Sequence, residues 1–199
     1  HGLVDHTYEE YYTWYTDTRH DYAGTSLDVG DLTSGDESLM PAMHILASMT
    51  RNWRWHNSYG YDPGGEWVYW PADGQYHNSQ GVHISDSWHE GGYAHEYGHH
   101  WQTIFAPVAS FEYCNGQCDS PPPCGHCGWC WEYAPVPTME GFCYWLGDVV
   151  PIAIAAQYGL PKLASDDAES IEPCGDGTLH DANATEGFYA ALLRDIYDG

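Results

Sequence analysis

At 199 residues the chain is long enough to bury one core, and its 43% hydrophobic and 16% aromatic content predicts an ordered globular domain. It carries 29 acidic and 5 basic residues, a net charge of −24, which excludes a basic nucleic-acid-binding surface and attraction to an anionic membrane. No continuous apolar run reaches the length of a membrane span; the best is VVPIAIAA, residues 149–156.

The start of the chain and its cysteines indicate the compartment. The first residue is His1 rather than Met, which indicates a processed N-terminus. Five of the seven cysteines crowd into residues 114–130, as in disulfide-bonded secreted proteins. Asn183 begins the glycosylation sequon Asn-Ala-Thr. We therefore expect a secreted, extracellular glycoprotein with disulfides, in which the odd cysteine is free or makes an interchain contact.

The first ninety residues predict a mixture of strands and one helix. Residues 1–24 are rich in Tyr, Thr, Trp and His, which favours strand or loop. Residues 24–38 form a Gly/Ser/Asp linker whose acids could bind Ca²⁺, although a solvated acidic loop is the simpler interpretation. Apolar residues near helical spacing predict a helix over 40–56. The segments 66–72 and 81–88 have the pattern of strands.

A metal-binding motif lies on the next predicted helix, residues 93–106, which follows a glycine-rich break and ends at a proline. His95, Glu96 and His99 form an H-E-x-x-H pattern. A helix brings residues i and i+4 onto one face, so the two imidazoles can share one cation. Zinc with three protein ligands keeps a position for water and lowers its pKa, and Glu96 would serve as the general base.

The third ligand must come from another part of the chain. Positions 102 and 105 are Gln and Phe, which excludes a third histidine in the H-E-x-x-H-x-x-G-x-x-H arrangement. Glu140 is the better candidate, because it opens a second predicted helix, residues 139–159, expected to be kinked or split near Pro151. Three other acids remain as alternatives: Glu112, Glu132 and Asp148.

The stretches HEYGHHW and MEGFCYWLGD together resemble the gluzincin metallopeptidases, specifically the thermolysin-like and fungalysin-like groups. In those groups an H-E-Y-x-H helix is followed by a helix whose Glu-Gly-aromatic sequence supplies the third zinc ligand. The last predicted helix, residues 184–198, is similar to one that packs behind the site in such enzymes. The resemblance covers roughly residues 80–199 and implies a zinc ion held by His95, His99 and Glu140.

The resemblance leaves two supporting roles open. The family often has an aspartate four residues after the ligand glutamate, where it supports a zinc-bound histidine; here that position is Tyr144, and Asp148 lies a turn further along. Such enzymes also use a histidine and a tyrosine to stabilise the oxyanion. By its order along the chain, His180 is the candidate for the histidine.

These observations predict one α+β, zincin-like domain over residues 1–199. A small N-terminal mixed sheet would pack on the active-site helix within residues 1–106. A disulfide-rich loop would occupy 107–138, and a helical part 139–199. Cys143 and Cys174 are expected to join the C-terminal part to the loop by disulfides.

The resulting functional hypothesis is a secreted zinc endopeptidase whose partner is a polypeptide substrate, neutral or basic because of the negative field. Other interpretations remain. The ten Trp and 17 Tyr would also suit a structural or binding subunit of a filament or surface layer on a zincin scaffold. His1 could belong to a copper site, if a second histidine faced it. A second zinc site could use the cysteine cluster, with disulfides the simpler expectation there: Cys124, His126, Cys127 and Cys130.

Overall fold

The computed structural model describes residues 2–5, 10–11, 40–85, 88–106, 136–168 and 185–199. In these ranges the chain forms strands β1 (Gly2–Asp5), β2 (Glu10–Tyr11), β3 (Trp67–Tyr69), β4 (Tyr76–Asn78) and β5 (Gly81–His83). It also forms helices α1 (Met40–Ser58), α2 (Glu90–Phe105), α3 (Val136–Tyr158) and α4 (Glu186–Asp198). Helices and a mixed sheet therefore alternate in the first part, and helices follow in the second. Assignment to the zincin fold stays a prediction.

The strands form one sheet in the order β2-β1-β3-β5-β4. β1, β3 and β5 run parallel, whereas β2 and β4 pair antiparallel with β1 and β5. The sequence did not predict β4, because Tyr76–Asn78 is a short polar segment without alternation. In β5 both Val82 and His83 are buried, and the ring of His83 is stacked between the rings of Tyr69 and Tyr76.

Helix α2 lies at the centre of the described structure, because it packs on both sides. Tyr93 and Tyr97 join the core between α1 and the sheet. Ala94, on another face, joins a second core with Leu146 and Val150 of α3. The expected glycine-rich break before this helix is wrong: Gly91 and Gly92 lie within α2. Close packing there outweighs the low helix propensity of glycine.

Helix α3 is one helix with Pro151 inside it, so the expected split is not observed. By length and composition alone α3 could cross a membrane, but 56% of its most apolar window is buried within the protein. Helix α3 contacts both α2 and α4, and it carries Glu140 and Asp148 among its buried residues. We interpret it as the core helix of the C-terminal half.

Glycines allow the close approach of these helices. A Cβ on Gly98 of α2 would lie 2.8 Å from a methyl group of Leu146 and 3.0 Å from the sulfur of Cys143, both on α3. A Cβ on Gly141 of α3 would lie 2.5 Å from the carbonyl oxygen of Glu186 and 2.6 Å from Cβ of Tyr189, on α4. The contact at Gly141 is against backbone, which cannot move as a side-chain end can.

We therefore expect Gly141→Ala to separate α3 from α4 and to lower the free energy of unfolding by about 1–3 kcal/mol, the usual cost of overpacking. Chemical denaturation monitored by circular dichroism measures this. Gly74→Ala is the matched control, because a Cβ there meets only the ring of Tyr76, at 3.6 Å or more. Equal stabilities of the two variants would contradict the close α3–α4 packing.

A second prediction concerns His56 of α1. Its ring is buried among Trp55, Tyr97 and Trp101, and its Nε2 has no hydrogen-bond partner among the described residues. Burial, with a smaller contribution from His100, lowers the pKa of His56 from 6.5 to about 4. As the pH falls from 6.5 to 4, the unfolded chain therefore binds a proton that the folded chain does not, and stability is lost in that window.

Replacing His56 by phenylalanine removes this proton uptake while keeping a ring. Between pH 7 and pH 4 the free energy of unfolding of the wild type should fall by about 3 kcal/mol more than that of His56→Phe. Urea denaturation of both proteins at several pH values provides the measurement. Parallel stability curves would show that His56 titrates in the folded protein as it does in the unfolded chain.

Candidate metal centre

The two histidines of the H-E-x-x-H motif and the first acid of α3 meet where α2 crosses α3. His95 Nε2 lies 3.2 Å from His99 Nε2. Glu140 Oε2 lies 3.2 Å from His95 Nε2 and 3.1 Å from His99 Nε2. The three atoms form an almost equilateral triangle of possible ligands. The sequence-predicted set is thus brought together by two helices that are 45 residues apart in sequence at this contact.

The size of the triangle fits a bound metal ion. For ligand bonds of 2.0–2.1 Å in tetrahedral geometry, the ligand atoms lie about 3.3 Å apart. The separations of 3.1–3.2 Å agree with that edge within a few tenths of an ångström. The donor set, two imidazole nitrogens and one carboxylate oxygen, suits a borderline divalent cation such as zinc. The residues present therefore fit such an ion.

The buried charge of Glu140 affects the electrostatics of the triangle. Glu140 is 0% exposed, and a buried carboxylate needs a compensating cation. Burial lowers the pKa of His99, but the interactions with Cys143 and Glu140 outweigh burial. The pKa therefore lies well above its ordinary value. Burial raises the pKa of Cys143 to about 11, so its thiol is uncharged near neutral pH. Glu140 is therefore the charge that favours a cation here.

Gln102 orients the ring of His99. The side-chain nitrogen of Gln102 donates to the carbonyl oxygen of Met139, 2.9 Å away on α3, which turns the amide oxygen toward His99 Nδ1 at 3.3 Å. With a metal ion in the triangle, His99 Nδ1 would therefore carry the hydrogen, and its Nε2 would present a lone pair to the ion. An outer partner that sets the tautomer of a histidine ligand is a common feature of metal sites. The sequence excluded a histidine at position 102 but gave no indication of this role.

Asp166 is an acidic residue close enough to His95 to interact with it electrostatically, and the sequence did not single it out. Burial raises its pKa, and its electrostatic interactions with His95 and His89 lower it, so that the net direction is upward. Its Oδ1 lies 3.4 Å from His89 Nε2, and its backbone N–H donates to the carbonyl oxygen of Gly147. Asp166 is remote from the motif in sequence, so only folding brings it near His95.

The two positions considered for that role are used elsewhere. The hydroxyl of Tyr144 donates to the carbonyl oxygen of Asp167 at 3.0 Å. Asp148 lies 3.7 Å from Arg194 of α4 rather than in the triangle. Three further candidates lie outside the described residues: Glu112, Glu132 and His180.

Cys143 corrects one sequence-based expectation. It is a free thiol, fully buried between α2 and α3, with its sulfur 3.4 Å from His99 Nδ1. The predicted disulfide from this residue to the cysteine-rich loop is therefore wrong, because its position on α3 directs the sulfur into the helix contact. The other six cysteines lie outside the described residues, as do His1 and the acids of the 24–38 linker.

Glu96 lies next to the triangle on α2. It follows His95 directly and is 7% exposed, so its carboxylate is largely shielded from water. It is close enough to Cys143 to raise the pKa of that thiol, as Glu140 also does. The motif therefore brings a second carboxylate to the α2–α3 contact, in addition to Glu140.

Sequence reasoning missed a second cluster of the same composition. Glu66, His77 and His100 come from the segment before β3, from β4 and from α2. Burial lowers the pKa of His77 to about 4; Glu66 raises it, and His99 and His100 lower it. The electrostatic interaction of His77 with His99 shows that the two clusters are neighbours. Only the histidine at position 100, next to the motif, was a signal in the sequence.

An aromatic cavity of about 310 Å³ lies apart from both clusters. None of the six possible metal-binding residues lines it. Its walls come from α1, the loop after α1, α2, α3 and α4, and include Trp55, Tyr61, Trp101, Phe142, Trp145 and Tyr197. The two candidate metal-binding clusters therefore lie outside this cavity.

Comparison of the chain with protein-family models, with curated proteins and with solved structures finds no match. The likeness to gluzincin metallopeptidases therefore rests on the motif residues alone.

Proposed function

We propose that the protein is a zinc-dependent endopeptidase, secreted from the cell, with His95, His99 and Glu140 as the zinc ligands. One observation supports this most strongly. Three ligand atoms from two helices lie 3.1–3.2 Å apart, and the glutamate that follows the first histidine is buried beside them. Two histidine ligands, a buried glutamate beside them and a carboxylate as third ligand at tetrahedral spacing are what metal-assisted hydrolysis requires.

When bound, zinc would supply a Lewis acid for the scissile carbonyl and lower the pKa of a water molecule. The chain's own residues would perform the proton transfers. Glu96 accepts the proton of the attacking water and later delivers it to the nitrogen of the leaving amine. Gln102 orients the ring of His99, the charge of Asp166 acts on His95 from nearby, and the burial of Glu96 limits competing solvent.

The sheet offers a way to hold an extended polypeptide. β4 is the last strand of the described sheet on one side and contacts α2, the helix that carries the motif. An edge strand presents backbone groups with which a further strand can pair. We infer that a substrate pairs along β4, which would bring its backbone beside α2. The net charge of −24 favours neutral or basic substrates over acidic ones.

The ligand assignment predicts that Glu140→Gln loses one equivalent of zinc. The amide keeps the shape of the side chain but removes the charge, so affinity should fall by more than the roughly 10–100-fold that loss of an outer partner costs. Elemental analysis after dialysis against dilute zinc measures the content per chain. Asp148→Asn is the matched control, because Asp148 is a buried acid on the same helix that faces Arg194. Loss of zinc in the control alone would transfer the ligand role to Asp148.

The mechanism predicts that Glu96→Gln retains zinc but loses about 10²–10⁴ in kcat, the contribution of one general base. Hydrolysis of an unstructured basic polypeptide, followed by mass spectrometry, gives the rate. Full activity in this variant would rule out Glu96 as the base. A wild-type protein that binds zinc and cleaves no polypeptide would instead favour a structural or binding role.

A further inference from the structure

The second cluster contains an imidazole whose two nitrogens both face hydrogen-bond acceptors. His100 Nε2 lies 2.9 Å from the carbonyl oxygen of Pro63, which can only accept, so Nε2 carries a hydrogen. His100 Nδ1 lies 2.7 Å from Glu66 Oε2. A neutral imidazole has only one N–H, so the contact with Glu66 requires either a further proton between Nδ1 and the carboxylate or a metal ion shared by the same two groups.

His77 distinguishes these two possibilities. Its Nε2 is buried, has no hydrogen-bond partner among the described residues, and lies 3.7 Å from the same oxygen, Oε2 of Glu66. A proton between His100 and Glu66 would leave this nitrogen unsatisfied, at a cost typical of a buried polar atom. A metal ion would use both imidazole nitrogens and the carboxylate oxygen together, and these three atoms lie within 4.8 Å of one another.

The rest of the cluster is held in place. The other oxygen of Glu66 accepts a hydrogen bond from the backbone N–H of Trp67, at 2.9 Å. Tyr97, one turn before His100 on α2, donates to the carbonyl oxygen of Gly64 at 3.1 Å. The segment that carries Glu66 is therefore joined to α2 at two neighbouring residues, Pro63 and Gly64. The side chains of Glu66, His77 and His100 are 18%, 11% and 8% exposed, which leaves a narrow access for an ion and its water.

We propose that Glu66, His77 and His100 form a second metal site, for a divalent ion of the zinc type, with water completing its coordination. Two imidazole nitrogens and one carboxylate oxygen are a donor set that zinc accepts. The ion would join three segments that are separate in sequence, the loop before β3, strand β4 and helix α2. Its role is to fasten the edge of the sheet to α2. This site does not depend on the proposed peptidase activity, because it shares no ligand with the first triangle.

The test is the zinc content of the full chain after dialysis against dilute zinc, with Glu66→Gln and His77→Asn as the principal variants. Each should hold one zinc fewer than wild type. The matched control is His44→Asn, because His44 also pairs with a glutamate, Glu90 at 2.9 Å, but without a second imidazole. Any metal bound by other parts of the chain contributes equally to all these proteins. Wild-type zinc content in both principal variants would overturn the proposal.

His95→Asn separates this proposal from that of the first site. If both sites exist, His95→Asn also loses one zinc, and the double variant with His77→Asn loses two. If only the second site exists, His95→Asn keeps the wild-type content, while His77→Asn still loses one. The second proposal then stands and the peptidase proposal fails.

A measurement on the wild-type protein covers the case in which the variants do not fold. Long-range ¹H–¹⁵N spectra of the histidine rings, recorded during titration of the metal-free protein with zinc, report on each nitrogen separately. We expect His100 to keep its hydrogen on Nε2 while the Nδ1 signal shifts, and the Nε2 signal of His77 to shift in step. Ring signals of these two residues that do not change with zinc would refute the site.

Discussion

The buried carboxylate of Glu140 is the constraint around which the contact between α2 and α3 is arranged. A carboxylate with no exposed surface is stable only if positive charge or strong donors surround it. His95 and His99 of α2 lie beside this carboxylate, where they can bind a compensating cation together with it, and this requires α2 and α3 to approach closely at that level. Gly98, between the two histidines in sequence, has no side chain, and Leu146 and Cys143 of α3 fill the space. The glycine within the motif therefore has a packing role.

The same constraint extends outward through polar contacts that would be costly to leave unsatisfied. Gln102 connects the ring of His99 to the backbone of α3, and Asp166 lies against both α3 and the neighbourhood of His95. Glu90, at the start of α2, receives the backbone N–H of Ala164 and pairs with His44 of α1. The segment before Ala168 is thus joined directly to α2 and α3. Of these contacts, that of Gln102 orients the ring of a candidate ligand, as outer partners do in metal sites.

Two neighbouring clusters of two histidines and one glutamate suggest how so acidic a chain can use its charge. Most of the 29 acids can remain solvated, where mutual repulsion is screened. Glu66 and Glu140 are different, since each directs an oxygen toward two imidazoles in a largely buried position. Divalent ions at these points would convert a local electrostatic cost into cross-links between segments. Helix α2 takes part in both clusters because successive residues, His99 and His100, point to different sides of the helix.

The sequence by itself determined the local features of this protein. Helical spacing located α1, α2, α3 and α4 to within a few residues, and the i, i+4 rule set His95 beside His99. The resemblance of the downstream Glu-Gly-Phe to the gluzincin motif singled out Glu140 as the third ligand. Propensity failed where tertiary contacts outweighed it: Gly91 and Gly92 are helical, and Pro151 lies within an unbroken α3. Only the tertiary structure decided the contacts between distant segments. Gln102, Asp166, the free thiol of Cys143 and the Glu66, His77 and His100 cluster carry no periodicity or spacing that marks them. Their partners are set by which faces of the helices and which strand edge meet, and that is decided by packing of the whole core.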